Sequence, residues 1–67
     1  MSTRYLAHNI IYRGKDHGMA VLELIERPDG TWRVSIEPFV REVHSTSFHS
    51  GTIRVTDGTD GPELSFE

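Results

Sequence analysis

The chain has no cysteine among its 67 residues, which excludes a disulfide framework and any zinc site built on thiolates. Long apolar runs are also missing. The longest nearly apolar stretch, Met19 to Ile25, is interrupted by Glu23 and falls far short of the ~20 residues a membrane-crossing helix needs. Nor is positive charge concentrated. Seven Lys and Arg are scattered among ten Asp and Glu for a net charge of −3, whereas attraction to phosphate backbones requires a clustered basic face. Neither nucleic acid nor membrane is therefore an expected partner. No apolar segment of signal-peptide type follows Arg4, and small secreted domains usually carry disulfides, so the expected address is cytoplasmic.

What is present is one globular domain, residues 1–67, with 36% apolar and 25% charged residues and no repeat, linker or low-complexity tract. A chain of this length buries roughly 60% of the surface its unfolded form exposes. Its stability is marginal unless regular packing or self-association supplements the core.

The clearest local signal is Val21-Leu-Glu-Leu-Ile-Glu-Arg-Pro-Asp-Gly-Thr-Trp-Arg-Val-Ser-Ile-Glu37. Pro28 and Asp29 suit a type I turn, and Gly30 accepts the left-handed conformation that closes a three-residue hairpin loop. If Arg27 faces Thr31, Leu24 pairs with Val34 and Leu22 with Ile36 on one face. Ile25 then pairs with Arg33, Glu23 with Ser35 and Val21 with Glu37 on the other. The alternative is a short helix over 19–27, giving an α+β fold, but nine residues ending at Pro28 make a marginal helix.

Upstream, 4–12 reads as a strand with Leu6, His8, Ile10 and Tyr12 expected inward; a shift of one residue presents Tyr5, Ala7, Asn9 and Ile11 instead. Residues 39–43 read as a connection and 45–56 as a further strand, with a bulge at Gly51 bringing Phe48, Ile53 and Val55 onto one face. The turn at 57–62 leads into a last strand, 63–67, with Leu64 and Phe66 inward. The expected fold class is all-β, a small antiparallel meander of about five strands forming a curled sheet or partly open barrel.

Several constellations invite chemistry. His8, His17, His44 and His49 are the imidazoles available to a metal. His44 and His49, with nearby carboxylates, form the alternative of a weak metal or small-ligand binder, but their five-residue spacing puts them on opposite faces of an uninterrupted strand. His44 with Glu42 and Ser45, Ser47 or Ser50 suggests an activated hydroxyl, yet sequence neighbours seldom point at one another. Asp57-Gly-Thr-Asp-Gly61 alternates carboxylates like part of a calcium loop but is too short to complete one. Trp32, Arg33, Tyr5, Tyr12 and Phe48 suggest a stacking platform, whereas Trp32 falls on the core-facing parity.

No residue set specifies a reaction or a cofactor. The expectation is a non-enzymatic module that associates with itself, as a homodimer, or with another protein. Contact would be made through a sheet edge and a second apolar face carrying Val21, Ile25 and Ile11 with Arg33.

Overall fold

The computed structural model of the protein describes residues 2–39 and 45–67. They form six strands: β1 (Ser2–Tyr12), β2 (Lys15–Asp16), β3 (Ala20–Glu26), β4 (Trp32–Pro38), β5 (Thr46–Gly58) and β6 (Gly61–Phe66).

The turn between β3 and β4 closes as its residues dictate. Gly30 has φ of 86°, a conformation that costs glycine no Cβ clash. The Arg27 N–H donates to the Thr31 carbonyl at 2.8 Å. Asp29 Oδ1 accepts the Thr31 hydroxyl at 2.6 Å and the Thr31 N–H at 2.9 Å, and these bonds hold the Asp29 carboxyl below its ordinary pKa. The register is the one read from the sequence, with Leu24 opposite Val34, Leu22 opposite Ile36 and Ile25 opposite Arg33. The helical alternative over 19–27 is not taken. Ala20, Leu22 and Leu24 are buried while the residues between them are half-buried, a period of two that suits a strand.

The strands make one mixed sheet in the order β4-β3-β1-β5-β6, with β2 folded back onto β1. Among the described residues there is no helix, and the sheet is curled but not closed, so the all-β class expected from the pattern is the one found. One ladder departs from a meander: β1 and β5 are parallel. β3 occupies one side of β1, so the chain leaves β4 at the sheet edge and enters β5 on the far side of β1. Such a crossover has no local turn signature.

β1 and β5 are the two long strands, and an irregularity interrupts their ladder between Ala7 and Asn9 on β1 and between His49 and Thr52 on β5. Ala7 and Ile10, three residues apart, are both fully buried in the same cluster, so the facing of β1 reverses there. This corrects the expected register. Tyr5 and Ala7 face the core before the bulge, and Ile10 and Tyr12 after it, while Leu6 and His8 face outward. Phe48 is corrected too. It pairs beside Leu6 on the outer side and is 56% exposed, rather than sharing a face with Ile53 and Val55. The irregularity does span Gly51, whose Cα faces the Glu67 carbonyl oxygen with no room for a Cβ.

β3 and β4 lie against the first half of β1, and β6 lies beyond the second half of β5. Even so, the start of β4 touches the start of β6: a Cβ on Gly61 would sit 2.7 Å from the Trp32 indole. The sheet therefore folds over its own apolar face, bending where the long strands carry the bulge. Inside are Ala7, Ile10, Ala20, Leu22, Leu24, Ile53 and Val55, with Tyr5, Tyr12, Val34, Ile36 and Leu64 packed around them. Of these buried residues, Ile10, Leu22 and Ile53 are the large side chains that are completely enclosed. Phe66 keeps its expected parity and packs edge-on against Tyr5 and His49 at 5.5 and 5.2 Å between ring centres, but it is 50% exposed and lies at the rim rather than in the core.

Candidate interaction surface

Because side chains alternate, the residues between the buried ones line the outer face. Val21 lies opposite Leu6, and Leu6 beside Phe48, so three adjacent strands carry an unbroken apolar row. Leu6 and Val21 are half-buried. The His8 ring stands edge-on to Phe48 at 5.5 Å, and Met19, just ahead of Val21, is 44% exposed. The next row is polar, with Arg4 paired to Glu23 at 3.3 Å and Thr46 beside Arg4.

The four residues expected to form the contact surface all lie on this face but do not form one patch. Val21 belongs to the apolar row. Ile25 and its neighbour Arg33 sit beyond the Arg4–Glu23 pair. Ile11 lies past the bulge, between Asp16 and Arg54. Leu6 and Phe48 complete the row, although the alternation read from the sequence turns both inward. The signal for Leu6 lay in the alternative register, which turns Tyr5 and Ala7 inward and places Ala7 opposite Ala20; Phe48 had no such signal.

The mouth of the folded sheet is a cleft of about 720 Å³ between the β3–β4 turn and the β5–β6 turn. Trp32 lines it and is 37% exposed; its parity is inward, as expected, but it stands at the end of the hairpin rather than within the core. Arg27, Arg33, Tyr12, Arg13, Asp57 and Asp60 complete the walls. The Tyr12 hydroxyl donates to Asp57 Oδ1 at 3.1 Å and Arg13 Nε to Asp57 Oδ2 at 3.2 Å. Desolvation, then the bond to Asp57, raises the Tyr12 pKa above its ordinary value of 10. The Arg13 guanidinium also lies 4.9 Å from the Tyr12 ring centre. The cleft thus offers charge and stacking surface.

The remaining constellations are dispersed. Asp57 is engaged by Tyr12 and Arg13, which turns the 57–61 stretch into a braced turn rather than a set of alternating cation ligands. Of the five residues of the stacking platform, Trp32, Arg33 and Tyr12 line the cleft, Tyr5 packs on Phe66 and Phe48 is on the outer face. His49 is half-buried, with Nε2 3.2 Å from the Glu67 carbonyl oxygen. His44, Glu42 and the 40–43 connection lie outside the described residues. His17 donates its backbone N–H to Ile10 at 2.8 Å. Among the described residues no group of three or more His, Asp or Glu is placed to hold a metal ion, and no helix is long and apolar enough to cross a membrane.

Comparison of the chain with protein-family models, curated proteins and solved structures finds no match. What fold and surface define is a class by architecture: a small, open, mixed β-sheet folded over a thin core, with an apolar row on its outside and, among the described residues, two unpaired edges.

Proposed function

We propose that this chain is a non-enzymatic protein-interaction module that associates with itself, acting in the cytoplasm. The observation that supports this reading is the row Val21–Leu6–Phe48, which crosses three strands on the face turned away from the core. Covering such a row contributes about 25 cal/mol per Å² of apolar surface removed from water. The core holds seven buried residues, two of them alanine, among the described residues, so a second copy would add substantially to what the fold holds by itself. The open sheet edges offer a second, separate surface for self-association, with backbone donors and acceptors free to pair with another strand.

The test is the absolute solution mass by light scattering over a concentration series, with the melting temperature followed in parallel. The expected result is about twice the 7.6 kDa chain mass and a melting temperature that rises with concentration, because a bound partner stabilises the folded state by mass action. A mass that stays at one chain with an unchanging melting temperature overturns the reading.

A further inference from the structure

Self-association leaves open which surface joins the copies, and β4 carries a pattern that answers this. Its backbone polarity is set by two hydrogen bonds: the Arg27 N–H to the Thr31 carbonyl at one end, and the Phe39 N–H to the Met19 carbonyl, at 3.3 Å, at the other. Residues in an antiparallel pair bond alternately toward and away from the partner strand. Arg33, Ser35 and Glu37 therefore direct their N–H and C=O groups at β3, and Trp32, Val34 and Ile36 direct theirs out of the sheet edge. Beside Trp32 and Val34 this edge opens onto the cleft.

Now place a second β4 antiparallel to the first about a two-fold axis at Ser35. Val34 meets the second copy's Ile36, and Ile36 its Val34; these are the outward-directed residues, so each pair exchanges two backbone hydrogen bonds. Trp32 meets Pro38, whose carbonyl accepts the Trp32 N–H. On the outer face Arg33 meets Glu37, and Glu37 meets Arg33. Both are exposed, and neither has an ion-pair partner among the described residues. One operation thus pairs the backbone of Val34 and Ile36 in full and that of Trp32 in part, aligns aliphatic with aliphatic and pairs opposite charges twice.

The other free edge rejects the same operation. Glu67 and Thr52 exchange backbone bonds at 2.7 and 3.0 Å, so alternation directs Pro62, Leu64 and Phe66 outward on β6. A two-fold axis at Ser65 would oppose Glu63 with the second copy's Glu67, which Arg54 holds at 3.0 Å within its own chain, so Glu63 meets a carboxylate and gains no cation across the axis.

We propose that two copies join edge to edge through β4, antiparallel about Ser35, to make one continuous sheet. This deepens, and rests on, the reading of the chain as self-associating. Since the chain has no cysteine, Ser35→Cys introduces a single thiol. Across the axis, non-hydrogen-bonded partners lie about 4.5 Å apart at Cα, within the ~4.4–6.8 Å that a disulfide spans. Air oxidation is expected to convert Ser35→Cys to a covalent dimer much faster than Ser65→Cys on β6. Arg33→Glu and Glu37→Arg should each raise the dimer dissociation constant about tenfold or more, since each replaces two attractive pairs with two repulsive ones. The double variant, Arg33→Glu with Glu37→Arg, restores opposite charges across the axis and should recover the dimer. Rescue by the double variant excludes misfolding as the cause of the single losses.

A chain that is dimeric while both single reversals leave its mass unchanged and Ser35→Cys cross-links no faster than Ser65→Cys overturns the β4 contact, with self-association intact. Phe48→Ser then dissolves the dimer if the outer row makes the contact. A chain that stays monomeric throughout overturns both proposals.

Discussion

The two free edges of this sheet, β4 and β6, are built alike and charged differently. Each presents three outward-bonding residues with inward side chains, Trp32, Val34 and Ile36 on one and Pro62, Leu64 and Phe66 on the other, around a central serine. On the outer face one edge carries Arg33 and Glu37, and the other Glu63 and Glu67. An open edge of either kind is a template for another strand. What distinguishes them is whether a two-fold copy meets opposite charge or like charge, so charge pattern alone can make one edge adhesive and protect the other.

The contrast can be broken from beneath, by removing the core on which both edges stand. Leu22 is fully buried, and Leu22→Ala should cost about 2–5 kcal/mol of stability, measured by urea denaturation, a large share of what so small a domain has. Both edges should fail together. A smaller change should erase the difference between them. Glu63→Arg gives β6 the opposite-charge pattern of β4, with a guanidinium facing the second copy's Glu67. A chain with two self-complementary edges has no reason to stop at a dimer. Its mean mass by light scattering should keep rising at concentrations where the unsubstituted chain has levelled off. A plateau at the same mass would show that charge is not what protects β6.

Weakening β4 through its turn is a gentler test. Gly30→Ala puts a Cβ at φ of 86° and should cost about 1 kcal/mol, read from denaturation, with self-association falling and the β5–β6 hairpin unaffected.

The smallest expected effect comes from acid. Asp29 is held below its ordinary pKa by the Thr31 hydroxyl and N–H, and Asp16 by the Gly18 N–H, then by Asn9. Carboxyls depressed in the folded state contribute stability that is fully present above their unfolded pKa, about 4, and lost as pH falls through the folded values. Melting temperature should therefore drop below about pH 4. Asp29→Asn keeps the acceptor oxygen, removes the titration and should flatten that decline.

How much of this was legible depends on how local the causes are. The β3–β4 register was readable to the residue because Pro28, Asp29 and Gly30 set the turn and the period of two agrees with it. Leu64 packs against the core as read; Phe66 keeps the inward parity but is 50% exposed. Leu6, His8 and Phe48 face outward because the buried face of β1 passes from Ala7 to Ile10 where its ladder to β5 shifts. The extra residue lies in β5 at residues 50–51, so Gly51 marks the shift while β1 itself carries no Gly or Pro that would. The surface residues followed suit. Val21, Ile25, Ile11 and Arg33 were rightly put on the outer face, yet the apolar row that Val21 belongs to runs through the two side chains thought to be inside.

By itself, then, the amino-acid sequence determined the five longer strands, though not the short β2 at Lys15–Asp16, together with the turn at 28–30 and the self-complementary spacing of Arg33, Ser35 and Glu37, since each is a matter of residue type and neighbours within a few positions. Tertiary structure decided that β5 lies parallel to β1, where the sheet bends, that Trp32 meets Gly61, and that β4 and β6 are the edges left open. Those outcomes depend on which distant segments share the one small apolar face, and burial rewards total contact without regard to sequence distance.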